Sequence, residues 1–170
     1  SQAIDFQQTD EAGPYSSIVV GDFSGNGTQE AAYMVVYSDS SYSGPRLRVL
    51  DYATGRRLRE QRDFGSPDLD VGFAIVSAQL DADPQMELLF SGADFDDGVL
   101  IVVDGASLEL EWRVGGHGSV IEGAYISEPF TIDVTGDGIP EVVFTARKNS
   151  LVRIVVLDGR DGTLIWNSVG

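Results

Sequence analysis

Residues 131–141 read Thr131-Ile-Asp-Val-Thr-Gly-Asp-Gly-Ile-Pro-Glu141 and run directly into Val142-Val-Phe144. The first part alternates acidic or hydroxylic side chains with glycine and closes on a glutamate. The second is β-branched and aromatic. A tight turn that opens a strand is written this way, because Asp, Thr and Gly satisfy bent backbone while β-branched residues suit a pleated surface. The same frame recurs twice upstream. Ile18-Val-Val-Gly-Asp-Phe-Ser-Gly-Asn-Gly-Thr-Gln-Glu30 sets Asp22 in register with Asp133, and Gln79-Leu-Asp-Ala-Asp-Pro-Gln-Met-Glu87 supplies the middle copy. The glutamates Glu30, Glu87 and Glu141 are 57 and 54 residues apart.

A second marker keeps the same period. Val49-Leu-Asp51, Val102-Val-Asp104 and Val156-Leu-Asp158 are spaced by 53 and 54 residues. Two independent markers with one period identify an internal repeat, which takes precedence over local secondary structure in deciding a fold. Within each unit, short runs of β-branched and aromatic residues are bounded by Gly, Asp, Asn and Ser. Unit one predicts strands at Ser17–Phe23, Glu30–Tyr37, Arg46–Asp51 and Arg56–Arg62. Unit two predicts Phe73–Leu80, Glu87–Gly92, Gly98–Asp104 and Leu108–Val114. Unit three predicts Tyr125–Val134, Glu141–Arg147, Val152–Asp158 and Thr163–Asn167.

No long amphipathic helical pattern intervenes, so the fold class is all-β: tandem four-stranded antiparallel blades of propeller type. Ser1–Gln8 falls where the period places a fourth, outer strand of a preceding unit. The expected divisions are 1–16 for that strand and its connector, 17–65, 66–118 and 119–170 for three complete repeats. A fragment of a longer propeller, a partner-completed ring and an open stack all satisfy this pattern.

The loop 133–141 and the later Val156-Leu-Asp-Gly-Arg-Asp-Gly-Thr-Leu-Ile-Trp166 resemble the FG-GAP (VCBS-like) repeats of integrin-type propellers. The resemblance spans essentially the whole chain and is strongest in unit three. Asp158, Gly162 and Trp166 also resemble the tryptophan-docking motif of quinoprotein propellers. Unit two has Asp104 and Trp112 but Leu108 for the glycine, and unit one has Asp51 and Gly55 but Arg59 for the tryptophan. The resemblance implies calcium-stabilised blades used in extracellular recognition.

The loop chemistry read residue by residue agrees with that implication. Calcium takes six to eight hard oxygen ligands, commonly from alternate positions of a tight loop. Unit three offers Asp133, Thr135, Asp137, the Ile139 carbonyl and Glu141. Unit one offers Asp22, Ser24, Asn26, the Thr28 carbonyl and Glu30, with one carboxylate fewer. In both, glycines at 25 and 27 or 136 and 138 permit left-handed backbone. Unit two has Ala82 and Pro84 at those positions, and proline disfavours the left-handed turn. It is expected to be metal-free or differently folded there. The bland alternative for every loop is a plain Asx turn without an ion.

The charge balance narrows the partners. Eleven basic against 27 acidic residues give a formal net charge of −16, which repels nucleic acid and anionic lipid and attracts metal ions or basic partners. No apolar run approaches the roughly 20 residues that span a bilayer, so membrane insertion is not expected. The chain opens without a charged-then-apolar signal, so any export signal has been removed or lies upstream. There is no cysteine, and thiol usage leaves the redox compartment open.

Other residues have bland readings. Trp112 and Trp166 are expected to cover the edge of a neighbouring blade. Six of the eleven basic residues, Arg46, Arg48, Arg56, Arg57, Arg59 and Arg62, are expected to line the outer strands of unit one, guarding an edge or meeting a partner. His117, the only histidine, sits in the connector Gly115-Gly-His-Gly-Ser119 and has no second histidine for zinc. The acidic clusters Asp68, Asp70 and Asp94, Asp96, Asp97 are assigned to a connector and a turn. A catalytic centre is not expected.

The expected function is therefore a secreted, cell-surface or periplasmic module, stabilised by structural calcium, that binds a protein or carbohydrate ligand or further copies of itself. The alternatives are a repeat subunit of a filament or surface assembly, and a fragment of a propeller enzyme such as a polysaccharide lyase, hydrolase or quinoprotein dehydrogenase.

Overall fold

The computed structural model describes residues 11–14, 16–38, 43–66, 69–94 and 97–168. The outer strand expected at Ser1–Gln8 lies outside them, as do Asp68 and Asp96. The described chain is all-β, built of three antiparallel sheets in sequence order. In the first, β1 (Glu11–Pro14) and β2 (Val19–Gly21) both pair with β3 (Glu30–Ser38), which is followed by β4 (Ser43–Asp51) and β5 (Arg57–Gln61). The second runs β6 (Leu69–Ala78), β7 (Glu87–Asp94), β8 (Asp97–Asp104) and β9 (Leu110–Gly115). In the third, β10 (Tyr125–Ile126) and β11 (Phe130–Ile132) share β12 (Glu141–Lys148), then β13 (Leu151–Leu157) and β14 (Leu164–Asn167) follow.

Each sheet thus has four strand positions, and in the first and third sheets the first position is interrupted. Unit three's expected single strand Tyr125–Val134 is two short pieces, and unit one's first strand begins at Glu11 rather than Ser17. The physical cause is proline, which has no N–H for the ladder and sits at Pro14 and Pro129 beside the breaks. A serine fills each gap. Met34 N–H donates to Ser16 Oγ at 2.8 Å and Thr145 N–H to Ser127 Oγ at 3.0 Å, both across 18 residues of chain. The second sheet has no proline here, and β6 stays continuous with only a register shift between Val71 and Ile75.

The turn between third and fourth strands is repeated in its hydrogen bonds. Gly55, Leu108 and Gly162 donate to the carbonyls of Asp51, Asp104 and Asp158 at 2.8, 2.8 and 3.0 Å. A register shift follows at Val49/Leu50, Val102/Val103 and Val156/Leu157. Leu108 takes φ +64°, matching +70° and +71° at Gly55 and Gly162. The repeat geometry holds even where the glycine is lost.

Two apolar layers join the sheets. Side chains alternate across a strand, so Leu88, Phe90, Ile101 and Val103 pack with Ala32, Met34, Leu47 and Val49 of the first sheet. Leu89, Leu100 and Val102 pack with Val142, Phe144, Val155 and Leu157 of the third. The middle sheet is apolar on both faces, which is why Val99–Val103 reads as an unbroken apolar run. The residue after the first loop position, held by Asp22, Gln79 and Asp133, is the one that plugs into the next sheet in the first two units. Phe23 and Leu80 are each 0% exposed, against Gly105 and Gly159 respectively. A Cβ on Gly105 would overlap the Met86 carbonyl and stand 2.9 Å from Phe23 Cβ; one on Gly159 would overlap the Pro140 carbonyl and stand 3.0 Å from Leu80 Cδ2.

The third copy of that plug, Val134, is 54% exposed. Phe130, Ile132, Val152, Ile154 and Trp166 share its face of the third sheet and are exposed with it. The described sheets form an open row, not a closed ring.

Candidate metal centre

The turn geometry brings the acidic loops to one edge of the row. A Cβ on Gly25 in the first loop would meet the Pro84 carbonyl of the second at 3.3 Å, and the second packs Leu80 against Gly159 at the third sheet. The loops and the Asp51, Asp104 and Asp158 turns together make an acidic edge.

In the third loop, Asp133, Asp137 and Glu141 each place a carboxylate oxygen within 4.8 Å of the others, a spacing compatible with common ligation of one hard cation. Asp133 accepts from Gly136 N–H at 2.6 Å and Gly138 N–H at 2.9 Å. Glu141, which is buried, accepts from Val134 N–H, Thr135 N–H and the Thr135 hydroxyl at 2.7, 3.2 and 2.9 Å. Ile139 contributes its N–H to Asp137 Oδ1 at 2.9 Å, and Arg160 pairs with Asp137 Oδ2 at 2.5 Å. The Arg160 guanidinium, aided by the Ile139 N–H, holds Asp137 below its usual carboxylate range. A carboxylate oxygen has two lone-pair sites, so accepting one amide leaves room for a cation. The donor set fits calcium, with exposed Arg160 as the group an ion must displace from Asp137.

The first loop has the same turn and a different charge state. Asp22 accepts from Asn26 N–H at 2.9 Å and Gly27 N–H at 2.7 Å, and Asn26 Oδ1 accepts from Thr28 through both its N–H and its hydroxyl. Glu30 is buried and accepts from Ser24 N–H and Oγ at 3.0 and 3.1 Å. Arg59 reaches it at 2.9 Å. A guanidinium therefore already neutralises the first loop's terminal glutamate, so this loop is the poorer fit for a metal. Gly25, Gly27, Gly136 and Gly138 take φ of +64°, +83°, +78° and +90°, the left-handed backbone the two loops require.

The second loop is folded differently at the equivalent turn. Ala82 and Pro84 are not among the residues of positive φ; outside glycine, only Leu108 and Asn149 are among the described residues. Yet it too gathers carboxylates. Asp81, Glu87 and Glu111 place one oxygen each within 4.8 Å of the others. Glu111, on β9, was not among the sequence candidates, because a loop reading does not look to the fourth strand. Burial pushes Glu87 up to about 7, with Glu111 and Asp81 adding to it against the Leu80 N–H. Partial burial, then Asp81, Asp104 and Asp83, push Glu111 up to about 7.

The expected arginine surface is largely consumed within the first sheet. Arg46 and Arg48 are buried and pair with Glu60 at 2.8 and 2.7 Å, and Arg57 joins at 3.0 Å. Burial would raise Glu60, but Arg48, Arg46 and Arg57 outweigh it and hold Glu60 low. His117 pairs through Nδ1 with Glu122 at 2.6 Å, and Gly118 N–H closes the same connector at 3.0 Å. Asp94 pairs with Arg113 and accepts from Ser66 Oγ at 2.9 Å, so it does more than solvate a turn. No protein-family model matches the chain, and no curated protein matches it.

Proposed function

We propose that this chain is a calcium-stabilised blade-repeat module of propeller type that works outside the cell or in the periplasm and binds a protein or carbohydrate ligand. The observation that carries this reading is the triad Asp133, Asp137 and Glu141 on an edge where three acidic loops stand side by side. The metal would be structural. Asp133, Asp137 and Glu141 would hold it, with Thr135 and the Ile139 carbonyl available as further oxygens. Bound there, it would supply positive charge that fixes the loop's shape, and the loop would present a firm edge to a partner. Extracellular modules work with calcium sites of roughly 10⁻⁴–10⁻³ M affinity, which suits a three-carboxylate loop open to solvent.

Thermal unfolding of chelator-treated protein, with and without millimolar calcium, tests the reading. Calcium at about ten times its dissociation constant adds about 1.4 kcal/mol, a rise of a few degrees in a chain this size. Asp133→Ala combined with Asp137→Ala should remove the third loop's share of that rise. An unchanged midpoint in wild type would make the loops plain Asx turns.

The exposed face of the third sheet favours a second reading, a subunit of an assembly. Trp112 is 7% exposed because the third sheet covers it, whereas Trp166, one repeat later, is 51% exposed. Phe130, Ile132, Val134 and Ile154 are exposed on the same face of the third sheet, an apolar surface of the kind that marks interaction sites. If this face joins copies, the mass in sedimentation should rise with concentration and Trp166→Glu should hold the chain at monomer mass. A monomer at every concentration for wild type leaves the solitary binding module.

A further inference from the structure

The glutamates Glu30, Glu87 and Glu141 hold one position of the repeat and all are buried, but only two of them are satisfied. Glu30 and Glu141 each accept from a hydroxyl, that of Ser24 at 3.1 Å and of Thr135 at 2.9 Å, besides backbone N–H groups. The second loop has Asp81 at that position, so a donor is replaced by an acceptor. Glu87 Oε2 still accepts from the Leu80 N–H. Its Oε1 is buried without a hydrogen-bond partner among the described residues, on a side chain that is 0% exposed.

A second departure from the repeat converges on the same point. Where the first and third sheets carry Leu58 and Ile165, the second carries Glu111. Strand register brings that carboxylate from β9 to the loop, completing the group of oxygens within 4.8 Å. Among the described residues no basic side chain pairs with any of the three. At that separation ionised carboxylates repel one another, so an apolar residue here would be easier to fold. Both substitutions worsen the metal-free protein and both supply ligands.

We propose that Asp81, Glu87 and Glu111 form a site for one hard divalent cation, calcium by preference, in which Glu87 Oε1 turns its unused lone pairs to the ion. All-oxygen, all-carboxylate donors select calcium, magnesium or manganese over softer metals. The site is built differently from the loops of the first and third sheets, since its third carboxylate comes from the fourth strand. It does not depend on either of those loops holding an ion.

Equilibrium dialysis of the full chain against calcium, and separately magnesium, counts ions per chain. Glu111→Ile installs the residue the third sheet already carries, and Asp81→Ser rebuilds the hydroxyl of the first loop, so both variants are suited to fold. Each should lose one bound equivalent relative to wild type, while Asp133→Ala leaves that equivalent in place. Chelator-treated Glu111→Ile should also unfold at a higher temperature than chelator-treated wild type, and added calcium should narrow the gap. Equal ion counts in wild type, Glu111→Ile and Asp81→Ser for both metals would overturn the proposal.

Discussion

Replacing Trp112 by alanine is expected to lower the unfolding free energy by about 3–5 kcal/mol, the range for removing a large buried aromatic side chain. The side chain is nearly fully buried between the second and third sheets, and its Nε1–H donates to the Gly159 carbonyl at 2.9 Å. Its ring lies over Gly162, where an added Cβ would stand 2.6 Å from Cε3. Alanine would empty that space and remove the donor from Gly159. In a chain of this size the loss corresponds to a midpoint lower by on the order of 10 °C. Trp166→Ala is the control. The same residue type one repeat later is 51% exposed, with no further sheet over it among the described residues, and should cost under about 1 kcal/mol. Urea unfolding of both variants decides the matter, and equal losses would mean that Trp112 is not an interface residue.

The first interface supplies a second arm of the same experiment. There the tryptophan position is Arg59 and the glycine position is Leu108, whose side chain is buried in the layer between the first two sheets. A leucine in left-handed backbone costs roughly 1–2 kcal/mol, and the space left by the missing ring offsets it. Gly162→Leu alone should therefore destabilise strongly, since it meets the Trp112 ring. Combined with Trp112→Arg it should cost less than the two single changes together. Additive losses would show that the two interfaces are not interchangeable solutions of one packing problem.

The repeat was legible because its markers are polar residues with fixed turn chemistry: Asp, Gly and a terminal Glu constrain backbone locally, so their spacing survives in sequence. The docking of Trp112 followed from the same spacing. What sequence reading missed depends on register or on partners far along the chain. Glu111 becomes a candidate ligand only when β9 is laid beside the loop, although comparing Leu58, Glu111 and Ile165 at one repeat position would have singled out the charged member. The arginine cluster read as a surface because Glu60 was not recognised as its hub. Two arginines fold inward onto one carboxylate, and Arg59 crosses to Glu30. The interrupted first strands had a readable cause in Pro14 and Pro129. The serines that repair the ladder do not, since nothing local distinguishes Ser16 or Ser127 from any turn serine.

In chelator-treated protein, stability is expected to pass through a maximum near pH 5 and then to fall as the pH rises towards 7. Asp51, Asp137 and Asp161, held low from an ordinary 3.8, and Glu60 and Glu122, held low from 4.5, stabilise the fold above those values and lose that contribution in acid. Glu87 and Glu111 act in the opposite sense. Their folded values of about 7 exceed the ordinary 4.5, so the folded chain binds their protons more tightly than the unfolded chain does. That contribution is complete below about 4.5 and is lost as the pH climbs through 7. The Leu80 N–H offsets part of this for Glu87, but the charged groups acting on the pair from outside it, Asp81, Asp83 and Asp104, are all acidic. For buried Glu87 the loss is on the order of 2 kcal/mol, while solvent screening reduces the share of Glu111. Glu87→Gln keeps the shape and cannot ionise, so its urea midpoint at pH 8 should stay closer to its value at pH 5 than that of wild type. A wild-type midpoint that does not change between pH 5 and pH 8 would mean that water reaches Glu87 in solution and that its carboxylate ionises without cost.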